Sequence, residues 1–195
     1  MLKTITNDLK EKYKLCLKDA WKSENMQDWC FKNTENIVEL SNGKIIIIEK
    51  PKIKTDFCFG YGMYLNYEEE DFDRANDMVK VAETNKEYFK RENLKEIEDW
   101  IKDLKQAEYV ATFRKYSSQS KDNKLSNYST YKNDWYLEEA KNDRRLVDFE
   151  IISKEDIEKI IQAYEEVKQA FIKRLDTYLK KYGLSKINAW SYLVD

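Results

Sequence analysis

Between Ser153 and Gly183 the residues Ile157, Tyr164, Phe171 and Tyr178 fall seven apart, and Ile160, Ile161, Val167, Leu175 and Leu179 fill the steps of three and four between them. That period gathers all of them on one face of an α-helix. Ser153-Lys154-Glu155-Asp156 supplies a capping segment at its start. Gly183 stands just past its end, where a left-handed residue closes a helix. A helix running to Tyr182 is about 44 Å long at 1.5 Å per residue, more than a small sheet usually covers. Two fates follow for the stripe: packing on the protein's own sheet, which its width favours, or pairing with a second copy in a homodimer.

Such a helix needs a sheet beneath it, and the clearest strand signal is "NIVELSNGKIIIIEK". Two β-branched runs flank Ser41-Asn42-Gly43, and Asn-Gly readily takes the positive φ angles of a tight hairpin. Ile45 to Ile48 is apolar on both faces, as in an interior strand. Pro51, the only proline, ends that strand. Further strands are expected at "DFCFG", "EYVATFRKY", "RRLVDFEII" and "INAWSYLV". Helices are expected at 7–22, at about 68–83, and from a capping box at Thr84-Asn85-Lys86-Glu87 to about Gln106. The segment "SSQSKDNKLSNYSTYKNDWY" reads as a loop or a long hairpin tip. Strands and helices do not alternate strictly, so the expected class is α+β, one domain over 1–195. Its largely antiparallel sheet would have about five or six strands, packed with about three or four helices.

The chain has 195 residues, 35 basic and 37 acidic, and a net charge of −2. No overall field steers it to nucleic acid or to a membrane. The N-terminus carries charges every few residues, unlike a signal peptide, and no apolar run is long enough to span a bilayer. Cys16, Cys30 and Cys58 are odd in number and widely spaced, which suits reduced thiols rather than disulfides or a zinc site. These readings place the protein in the cytosol of a bacterial or phage-infected cell. The abundance of Lys, Asn, Ile, Tyr and Glu fits an A+T-rich genome, such as that of a low-G+C bacterium or its phage.

Residues 57 to 73, "FCFGYGMYLNYEEEDFD", hold Gly60 and Gly62 ahead of a run of acids. A phosphate-binding turn is disfavoured, because Leu65 replaces the third glycine and Glu68 to Asp71 would repel a phosphate at the helix start. An RNA-stacking strand is disfavoured because Phe59 stands where a basic residue is needed. A metal site is disfavoured because only pairs such as Glu69 and Asp73 share a helix face. The stretch reads best as a strand-to-helix turn whose exposed acids, Glu68, Glu69 and Asp73 among them, remain open to a partner.

With no histidine in the chain, the commonest general base and every Ser-His or Cys-His arrangement are excluded. No Walker-type loop occurs. Carboxylate chemistry remains open, but Asp148 and Glu150 lack a lysine at the following positions and read as a chance pair. The expectation is a protein without enzymatic activity and without a cofactor.

Two surfaces remain as binding candidates. From Ala111 to Val147 eight basic residues face five acids, interleaved with Tyr116, Tyr128, Tyr131, Trp135 and Tyr136. Tyrosine among serine and asparagine makes adaptable contact surfaces, here with Lys121, Lys124 and Lys132. The second is the acidic segment 68–77, with six acids against Arg74. The leading expectation is a binding protein of phage or mobile-element origin that inhibits or modulates a protein target, such as a host-defence complex. The alternatives are a nucleic-acid-binding protein using Arg114, Lys115, Lys121, Lys124, Lys132, Arg144 and Arg145, and a Mg²⁺-dependent carboxylate enzyme.

Overall fold

The computed structural model describes residues 5–60, 86–115, 123–183 and 188–192, and for Tyr88, 56–60 and 188–192 the backbone alone. The helix expected at 68–83 lies outside these residues, together with Thr84, Glu68, Glu69, Asp73, Tyr116 and Lys121. In chain order the elements are α1 (Asn7–Ala20), α2 (Glu24–Asn33), β1 (Thr34–Glu39), β2 (Ile45–Glu49), β3 (Asp56–Gly60) and α3 (Lys86–Gln106). There follow β4 (Tyr109–Lys115), β5 (Asn127–Tyr131), α4 (Asp134–Lys141), β6 (Leu146–Ile151), α5 (Lys154–Tyr182) and β7 (Asn188–Tyr192). The class is α+β, and its antiparallel sheets and long C-terminal helix match expectation. The chain divides into two units, Met1–Pro51 with Ile97–Lys168 and Lys52–Glu96 with Gln169–Asp195, the division falling inside α3 and α5.

In the first unit, β1 and β2 form the expected antiparallel hairpin. Gly43 closes its turn at φ 77°, donating its N–H to the Leu40 carbonyl at 2.9 Å. Ile45, Ile46 and Ile48 are each only 1% exposed, so the isoleucine run is interior. Ile37 and Ile45 share a core cluster with Tyr13, Cys16 and Leu17 of α1. Thr6 starts α1 by accepting the Leu9 N–H on its hydroxyl. Helix α2 carries no period strong enough to be read, because none of its residues is fully buried. Only Cys30 and Phe31 lean on the cluster. Cys16 and Cys30 are free thiols.

The expected sheet of five or six strands is instead divided. The hairpin is one sheet, and β5-β4-β6 is a second, antiparallel one with β4 in the middle. A single parallel bridge joins them: Ile45 donates its N–H to the Lys124 carbonyl at 2.8 Å and accepts that of Ser126 at 3.0 Å. It does not extend into a ladder, for the Leu125 N–H between these positions is taken by the Asn123 side-chain oxygen at 2.9 Å. The segment expected as a loop therefore contains a strand, β5, and the first turn of α4.

In the second unit, β3 and β7 pair in parallel. Asn93 of α3 clasps the backbone of Lys54, accepting its N–H at 2.7 Å and donating to its carbonyl at 3.1 Å. Phe89 stacks on Tyr178 with ring centroids 5.9 Å apart, and Lys90 pairs with Asp176 at 2.7 Å.

The stripe of α5 is buried within the chain: Ile160, Phe171 and Leu175 are fully enclosed and Tyr164 and Val167 nearly so. Packing within the chain is the fate that the width of the stripe favoured. Among the described residues, no helix is long and apolar enough to cross a membrane.

Candidate partner-binding surface and a polar cavity

Four of the sequence-derived contact residues come together at the end of β5 and the start of α4. Asn133 is extended at φ −163° and accepts the Tyr136 N–H on its side-chain oxygen at 3.2 Å, so it caps the helix directly after the strand ends. This cap turns Trp135 and Tyr136 outward, 65% and 51% exposed. Their rings meet edge to face, 4.7 Å apart. Tyr131 and Lys132 precede them, and with Tyr136, Glu139, Asp143 and Arg145 they line an open groove of about 830 Å³. Arg145 chelates Asp143 at 2.8 to 3.1 Å, and that guanidinium holds the Asp143 carboxyl down at about 2. At the near end of β4, the Asp134 carboxylate accepts from Tyr109 and pushes its phenol up to about 12.

Tyr128 and Lys124 do not join this surface. Tyr128 is half-buried and donates its hydroxyl to that of Tyr164 at 2.9 Å, the rings lying edge to face. Burial, with Tyr164 beside it, raises its phenol strongly. It is an interior residue: β5 alternates, and Tyr128 points to α5. The basic residues are also divided. Arg114 is buried against Asp148 through two guanidinium nitrogens, Arg145 is held by Asp143, and Lys141 pairs with Glu138 at 2.6 Å. Arg114 thus lies in the interior rather than on a surface that could follow a nucleic-acid backbone.

Asp148 and Glu150, read from the sequence as a chance pair, are part of a connected polar network. The β4–β6 pairing slips between Thr112 and Arg114, and beside this slip Asp148 takes φ 55°, a left-handed conformation that aspartate tolerates better than most residues. The Lys44 ammonium donates to Glu150 Oε2 at 2.9 Å, to the Asp148 carbonyl at 2.9 Å and to Thr112 Oγ1 at 3.1 Å. All three of its N–H bonds are therefore used. Asn42 adds a bond to the same Glu150 oxygen at 2.8 Å, and Lys44 foremost holds the Glu150 carboxyl below its usual range. The lysine missing from the following positions arrives from the β1–β2 hairpin, 104 residues away from Asp148 in sequence. No local spacing rule could have found it.

These groups border a second cavity of about 420 Å³, completed by Asn123, Lys124 and Ser126. Among the described residues, no three His, Cys, Asp or Glu side chains are grouped to hold a metal ion. No protein-family model matches the chain, and neither a curated protein nor a solved structure shows significant similarity to it.

Proposed function

We propose that this protein acts by binding another protein, through the surface formed by Tyr131, Lys132, Trp135 and Tyr136 with Arg145 at its rim. The observation that carries this reading is the outward display of Trp135 and Tyr136 on a capped first helical turn beside an open groove. Tryptophan, tyrosine and arginine are the residues that most often dominate interface energies. Their backbone here is fixed by the Asn133 cap, so little conformational freedom is lost on binding. A folded chain gains nothing by keeping two large rings in water, which supports a role for them outside the monomer.

The test uses the intact chain as bait in a cell lysate, with the Trp135→Ala/Tyr136→Ala double variant in parallel. A specific protein captured by the first should bind the variant about 30-fold more weakly once purified, as expected for loss of a hot spot of about 2 kcal/mol. Absence of a specific partner, or undiminished binding by the variant, would count against the proposal.

A further inference from the structure

We propose that the outer edge of β5 takes up an extended segment of the partner protein as an added strand, in the groove beside Tyr131 and Tyr136. This rests on the protein-binding reading of that surface and adds the mode of recognition. The directions of the backbone groups carry it. Val110 accepts the Ile152 N–H at 3.0 Å, in register with the pairing of Ala111 to Ile151. Bonded residues alternate along an antiparallel strand, so Val110 and Thr112 of β4 bond toward β6, while Tyr109 and Ala111 bond toward β5. Tyr109 faces Tyr131 and Ala111 faces Ser129. Tyr131 and Ser129 therefore bond inward, and Tyr128 and Thr130 turn their N–H and C=O outward. The bridge to the hairpin agrees: Ser126, two residues before Tyr128, donates its N–H outward to Ile45 at 3.0 Å. Among the described residues, nothing bonds to the outward backbone groups of Tyr128 and Thr130. Such groups must be met by water or by a partner.

The groove follows this edge. Tyr128 faces Tyr164, so Thr130 shares its side of the sheet and Ser129 and Tyr131 take the other. Yet Ser129, Thr130, Tyr131 and Lys132 all line one opening, with Tyr136 and Glu139 of α4. Neighbours on opposite faces share an opening only along a strand edge. Four strand residues span about 13 Å at about 3.3 Å each, enough for an added segment of similar length.

The two edges of this sheet differ. At β6 the pairing slips beside Asp148, whose carbonyl accepts from Lys44 at 2.9 Å. Irregularity, charge and proline are the usual guards of an edge. β5 pairs in even register and reads Asn-Tyr-Ser-Thr-Tyr, without charge or proline. Directly after it stands Lys132, exposed and in no ion pair among the described residues. An acid on the incoming strand complements it. A second copy of β5 brings no acid, so the occupant is a segment of a different protein. That segment is extended, free of proline where it pairs, and carries Asp or Glu at the Lys132 end.

The test begins with amide hydrogen exchange of the free, full-length chain, read residue by residue. Thr130 should exchange at least about tenfold faster than Ser129 and Tyr131, which bond to β4. A displayed library of random linear nonapeptides is then selected on the same chain, and the peptides it yields are synthesised. They should be rich in acids and protect the Thr130 amide on binding. Methylating their backbone nitrogens one at a time should weaken binding about tenfold at every second position only, the signature of a strand that bonds on one side. Thr130→Pro removes an outward N–H and no ladder bond, a place where an edge strand accepts proline, and should weaken binding about tenfold at a little-changed melting temperature. Lys132→Glu touches no ladder bond and should weaken binding about fivefold, which keeps the test decisive where the proline disturbs the strand. A Thr130 amide as protected as its neighbours in the free monomer would overturn the proposal. So would a selection that yields no peptide, methylation effects without alternation, unchanged binding in both variants, or self-association through β5 that Thr130→Pro abolishes. A lysate partner lost by Trp135→Ala/Tyr136→Ala but held fully by Thr130→Pro and Lys132→Glu would overturn strand addition alone and leave the binding surface standing.

Discussion

The Asp156 carboxylate accepts the Ser41 N–H at 3.0 Å and the Ser41 hydroxyl at 2.5 Å, and so fastens the first turn of α5 to the β1–β2 turn. Asp156 is 2% exposed. Its own N–H is capped by the Ser153 hydroxyl at 3.1 Å, and Lys159 pairs with it at 2.9 Å. The sequence Ser-x-x-Asp suggests a reciprocal capping box, but the acid reaches across to the hairpin instead. Asp156→Ala should therefore cost about 2–4 kcal/mol in chemical denaturation, more than loss of a surface ion pair. Asp156→Asn, which still accepts from Ser41, should cost less.

The same contact sets a pH dependence. Burial opposes ionisation of Asp156, but the bonds from Ser41 and Lys159 outweigh it and lower the carboxyl below its usual value. Glu150 is lowered as well, chiefly by Lys44. A carboxyl with a depressed folded pKa stabilises fully above its unfolded pKa, about 4, and loses that contribution as pH falls through the folded value. The melting temperature should be flat from neutral pH to about 5 and fall below about 4. The fall should be shallower in Asp156→Asn. A variant as acid-sensitive as wild type would show that Asp156 does not carry the effect.

Trp135→Ala and Tyr136→Ala should each change stability by no more than about 0.5 kcal/mol, the usual range for surface positions without buried partners. The measurement is urea unfolding of the two single variants. A loss well beyond that range would mean that the two rings support the fold rather than a partner.

Tyr128→Phe should behave in the opposite way. It leaves the Tyr164 hydroxyl, on a residue 6% exposed, without the bond that Tyr128 donates, which should cost about 1–2 kcal/mol. Partner capture should be unchanged. Weakened capture at preserved stability would return Tyr128 to the contact surface.

Gly43 and Gly183 adopt φ angles of 77° and 60°, and an added Cβ would meet no atom within 4 Å at either. Gly43→Ala and Gly183→Ala should each cost about 1–2 kcal/mol, from left-handed backbone strain alone. Gly183→Asn should cost less than Gly183→Ala, as asparagine tolerates this region better. Equal losses in both would point to a cause other than backbone strain.

Period and punctuation settled much of this protein. The α5 stripe from Ser153 to Gly183, the hairpin around Asn42-Gly43 and the strands β4 and β6 all follow from short-range patterns. Each is dictated by which side chains must leave water and which backbone angles a residue allows. Helix α2 escaped because it buries no side chain completely, and β5 because its half-buried residues are mostly polar and tyrosine. The Tyr131, Lys132, Trp135 and Tyr136 group was legible as a composition, but Tyr128 could be separated from it only by the facing of β5 toward Tyr164. Three relationships belonged to tertiary structure alone: Asp156 with Ser41, Lys44 with Glu150, and the bridge from Ile45 to Leu125. Their partners are 115, about 106 and 80 residues apart. Hydrogen bonds and ion pairs act over about 3 Å and leave no periodic trace along a chain, so only the folded packing of hairpin against sheet and helix could decide them.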